Sequence, residues 1–97
     1  MTVALDQARA EESSLRARLA AAVTERARAA READRLESRA ALTNAEPAVS
    51  SAALAQHGLA DQAAGRVESL RVALRRAEAD VVTLESALDA ERTEHEH

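Results

Sequence analysis

The residues best equipped for chemistry stand at the C-terminal end, in Glu91-Arg92-Thr93-Glu94-His95-Glu96-His97. Glu91 and His95 are four residues apart, a spacing at which one helix face presents two ligands to a divalent ion such as zinc. A metal centre needs further ligands and a shell that holds them in place. Neither is apparent elsewhere in the sequence, so a frayed tail over residues 95–97 outranks a metal site.

A second candidate is the row Arg28, Arg31, Arg35 and Arg39, which helical spacing places along one face. Such a row suits phosphates or an acidic partner helix. Glu25, Glu32, Asp34 and Glu37 stand among these arginines, the net charge is −4, and no aromatic residue is present to stack on unpaired bases. An ion-paired or solvated face is therefore the expectation, and nucleic acid is an unlikely partner by the basic-patch criterion.

His57 beside Gly58 reads as the end of a helix, where a cationic imidazole favours the dipole. Its titration near neutrality also makes it a candidate pH-sensitive group. Ser13-Ser14 and Ser50-Ser51 have no adjacent base and no Gly-x-Ser-x-Gly elbow. Gly-rich phosphate loops, His-Glu-x-x-His and EF-hand patterns are absent from the sequence. The expectation is a protein with no catalytic residues and no cofactor.

The elements that carry these residues follow from composition. Of 97 residues, 26 are alanine, whereas leucine, valine and methionine together supply 19; isoleucine, aromatic residues and cysteine are missing altogether. Alanine, leucine, arginine and glutamate lead the helix-propensity scale, so local preference points to helix throughout. Without aromatic side chains a compact globular core would be thinly stocked. The fold class expected is all-α, an antiparallel helical hairpin or coiled coil assembling into a multi-helix bundle.

In the second half, Val67, Leu70, Leu74, Ala77, Val81, Leu84 and Leu88 recur at alternating steps of three and four, a heptad seam that needs a partner helix. In the first half Leu5, Ala8, Leu15, Leu19, Ala22, Ala29, Ala33, Leu36 and Ala40 fit a similar frame, which also takes in Glu12 and Arg26. Long stems let such charged seam residues reach water; a role in setting register is the alternative. Leu15, Leu19 and Leu36 join the second-half seam as expected interface residues.

No Gly or Pro interrupts residues 2–43, which predicts one long helix. Pro47 marks a turn over 44–47 and the first turn of a new helix. Gly58 suggests a short helix over 47–57 and a long one from about 60 to 94; a single helix bent at Gly58 is the alternative, since an interior glycine costs only about 1 kcal/mol. In a hairpin Leu5 would lie near Leu88 and Leu19 near Leu74. A parallel pairing of the second seam would set Arg66 against Arg71 and Asp80 against Glu85, which disfavours it.

Charge is uneven: residues 1–46 balance, and residues 47–97 carry the net −4. Segment by segment, the acidic C-terminal tail complements the arginine-rich residues 16–39 better than residues 1–15, a match more easily met between chains. The longest apolar run near the N-terminus, Leu19 to Val23, is too short for a signal sequence or a membrane span. The function expected is that of a cytoplasmic, non-enzymatic coiled-coil scaffold, adaptor or assembly module that forms a homo-oligomer, with a partner protein helix as a further candidate. The alternatives are an accessory domain of a nucleic-acid system or a helical metal-binding protein.

Overall fold

The computed structural model describes residues 2–43 and 47–96, with side-chain placement for 3–42 and 51–94. Every described residue is α-helical. Helix α1 spans Thr2–Thr43 and helix α2 spans Pro47–Glu96, and the two pack against each other as an antiparallel hairpin. Pro47 is the first residue of α2, the place where its fixed φ is helical already and its missing N–H has no intrahelical partner to lose. Residues 44–46, the heart of the expected turn, lie outside the described residues, as do the side chain of His95 and the whole of His97.

The second helix is one element where Gly58 suggests two. It runs through both Gly58 and Gly65, and neither glycine adopts the left-handed conformation that ends a helix. The residues on either side of Gly58 favour helix, and together they outweigh the cost of about 1 kcal/mol for one interior glycine. Threonine hydroxyls likewise cause no break. Thr24, Thr83 and Thr93 donate to the carbonyls of Ala20, Ala79 and Asp89, one turn back, at 3.0, 2.9 and 2.9 Å.

By their internal packing the residues group into two units: unit 1 combines Met1–Arg18 with Ser69–His97, and unit 2 is Leu19–Glu68. In unit 1, Arg9 meets Glu85 at 3.0 Å and Arg16 meets Glu78 at 3.9 Å, so numbers rise along α1 as they fall along α2. Leu5, Leu15, Ala77 and Val81 form its buried core. Leu5 and Leu88 line one hollow together with Arg9 and Glu85, the neighbourhood that hairpin geometry predicts.

Unit 2 is built from smaller parts. Its core is Ala22, Ala29, Ala33, Ala53, Ala63 and Val67. Small seam residues let helix backbones approach closely, gaining short-range contact while burying little area per residue. The buried stripe of α2 begins well before Val67: Ala53, Gln56, Ala60 and Ala63 continue the same steps of three and four, each buried or half-buried. Several larger apolar groups stand outside this core, with Leu42, Leu54 and Leu59 exposed to 87%, 71% and 50%.

Candidate interaction surfaces

The seam residues fall on the inner faces of both helices. Leu15, Val67, Ala77 and Val81 are buried, and Leu19, Leu36, Leu70, Leu74, Leu84 and Leu88 are half-buried. The two charged residues on the first seam behave differently. The side chain of Glu12 is only 14% exposed and its carboxylate forms an ion pair with Arg16 one turn on, whereas Arg26 lies in solvent. The arginine gives Glu12 a partner at the helix surface, so its stem covers apolar neighbours while its head stays neutralised.

Flanking residues tie the helices at intervals. In unit 1 these are the pairs Arg9–Glu85 and Arg16–Glu78; in unit 2, Glu25 accepts from Arg66 at 2.8 Å and Glu37 pairs with His57. The weak acidity of residues 1–15, with Arg9 against Asp6, Glu11 and Glu12, suggests little electrostatic reward for a hairpin, and the structure differs. Register matters more than segment charge, because it sets individual arginines of α1 opposite individual glutamates of the acidic tail. These pairs are half-exposed and screened by solvent, so each adds little to stability.

His57 does not end a helix; it faces α1 across unit 2. The hydrogen bond to Glu37 raises its pKa above the ordinary value, opposed by desolvation and aided by the charges of Glu37, Asp34 and Asp61. A histidine whose pKa is raised on folding stabilises the folded state fully below its unfolded pKa of about 6.5, and loses that contribution as pH rises through the folded value. The wild-type melting temperature is therefore expected to fall slightly as pH rises from about 6.5 through the raised folded value. His57→Gln and Glu37→Gln should each flatten that slope in thermal melts followed by circular dichroism. A slope unchanged in both variants would refute the assignment.

The arginine row is exposed along its whole length. Arg35 donates twice to Glu32, at 2.5 and 3.0 Å, and this contact lowers the Glu32 pKa. Arg39 also has an interaction partner, and Arg28 borders a hollow in unit 2 that it shares with Glu25, Glu32 and Arg66. The row is thus interleaved with carboxylates and does not form a continuous basic strip. At the other end, Glu91 is half-buried on the continuation of the second seam. His95, its expected co-ligand, has its side chain outside the described residues; among those described, no group of three or more His, Asp or Glu side chains is placed to hold a metal ion.

The hollow in unit 2 has no signal in simple motif terms. It measures about 480 Å³ and lies open on one side, floored by Ala29 and Ala63 and bordered by Leu59, Gln56 and Gln62. Its origin is the alanine-for-leucine exchange on the seam, visible only once facing positions are known. Among the described residues, no helix is long and apolar enough to cross a membrane. No family model matches the chain, and no curated protein and no solved structure shows significant similarity to it.

Proposed function

We propose that this chain is a non-enzymatic, self-associating helical scaffold or adaptor that works in the cytoplasm as an assembly module. The observation that carries this reading is the apolar surface left uncovered on unit 2: its core is mostly alanine, and Leu42, Leu54 and Leu59 are 87%, 71% and 50% exposed. Burial stabilises in proportion to apolar area, about 25 cal/mol per Å². A hairpin that leaves several leucines facing outward therefore gains by covering them with further helices, as four-helix bundles do.

Light scattering and circular dichroism over one dilution series test the reading. Mass above the 10.3 kDa of one chain is expected at high concentration, with mass and helicity declining together on dilution because assembly and folding are linked. Full helicity at the mass of a single chain at every concentration would overturn it.

A further inference from the structure

The geometry points to the open hollow of unit 2 as the seat of a second copy of this chain, docked about a two-fold axis beside Leu59. This inference rests on the self-association proposed above and adds the surface and the arrangement. A two-fold contact uses the same patch on both partners, so the patch must be complementary to itself.

The lining meets that condition in shape and in charge. It holds both a projecting apolar group, Leu59, and a recess floored by Ala29 and Ala63, so each copy offers a knob and a hole to the other. Its rim carries two acids, Glu25 and Glu32, and two arginines, Arg28 and Arg66. Glu25 is held by Arg66 at 2.8 Å and Glu32 by Arg35 at 2.5 Å, which leaves Arg28 with no ion-pair partner among the described residues. A carboxylate has room for several donors. A two-fold therefore brings Arg28 of each copy to the Glu25 and Glu32 side of the other, supplying the counter-charges that one hairpin lacks. Gln56 and Gln62 at the edge can exchange hydrogen bonds reciprocally. An open hollow with a half-exposed leucine at its border encloses a small molecule poorly, because ligand sites cover most of their ligand's surface.

The test compares Leu59→Glu with Val82→Glu, an equally drastic change at a 61% exposed site in unit 1. Both positions are exposed on helices, so neither change disturbs the packing within one chain, and each variant should keep its helicity at concentrations where it is assembled. By sedimentation equilibrium Leu59→Glu should raise the dimer dissociation constant about tenfold or more, the loss typical of a central anchor, and Val82→Glu should leave it within about twofold. The chain has no cysteine, so a single Leu59→Cys reports the axis directly: it should form a disulfide-linked dimer on mild oxidation, and Val82→Cys should not. A wild-type dimer that Leu59→Glu weakens no more than Val82→Glu, or one that cross-links through position 82 and not 59, overturns this surface while leaving self-association intact. A wild-type chain that stays monomeric removes both.

Discussion

Val67→Asp is expected to abolish the folded state of unit 2 and, with it, the share of the far-ultraviolet circular dichroism signal that residues 19–68 supply. Val67 is 0% exposed, the largest side chain among the described residues to be fully buried. No polar or charged residue is buried among the described residues, so nothing in this interior is placed to accept or donate to a carboxylate. An unpartnered buried charge costs several kcal/mol even after it shifts its pKa. Domains have only about 5–15 kcal/mol in total, and a chain this small with an alanine core belongs at the low end. Val67→Ala grades the effect: it removes two methylene equivalents and should lower stability by about 2 kcal/mol in denaturant titrations. Val72→Asp serves as the control, because Val72 is half in solvent; its cost should stay within about 0.5 kcal/mol. If Val67→Asp and Val72→Asp melt alike, Val67 does not sit between the helices.

In the opposite direction, the double variant Gly58→Ala, Gly65→Ala should gain about 2 kcal/mol, or roughly 8 to 16 °C in melting temperature. Both glycines lie inside α2, neither has a left-handed backbone, and a Cβ built at either meets nothing within 4 Å. The substitution therefore removes unfolded-chain entropy and adds helix propensity without a clash. A helix that ended at His57, with Gly58 as its left-handed cap, would respond with the reverse sign, because alanine is strained there. Differential scanning calorimetry separates the two: a lower melting temperature for Gly58→Ala alone would show that the helix breaks.

How legible the molecule is from sequence depends on the distance over which each feature is decided. The seam from Val67 to Leu88 reads directly, since leucines and valines at steps of three and four must share a face whatever lies opposite. Gly58 misleads because glycine lowers helix stability by a small amount that its neighbours override; the residue type alone does not say which outcome holds. The acidic tail misleads for another reason. Its net charge over a segment says nothing about which acids stand at flanking positions, so the pairing of Glu85 with Arg9 and of Glu78 with Arg16 becomes visible only with the register.

The candidate sites divide in the same way. The arginine row is plain in the sequence, but the pairing of Arg35 with Glu32 depends on rotamers as well as on spacing within one helix turn. His57 stands out as a titratable group, and its role follows from Glu37, twenty residues away in the chain and across unit 2 in space. The hollow beside Leu59 has no motif at all. It exists because Ala29 and Ala63, buried at 8% and 1% exposure, line the same recess.

What the amino-acid order settled by itself is that the chain is helical, with inner faces at heptad spacing and a boundary near Pro47, because propensity and periodicity act over a few residues. The tertiary structure alone decided which flanking charges meet, and that the alanine-rich core of unit 2 leaves Leu42, Leu54 and Leu59 exposed. Those outcomes turn on distances between residues far apart in the chain, which packing sets and local preference does not.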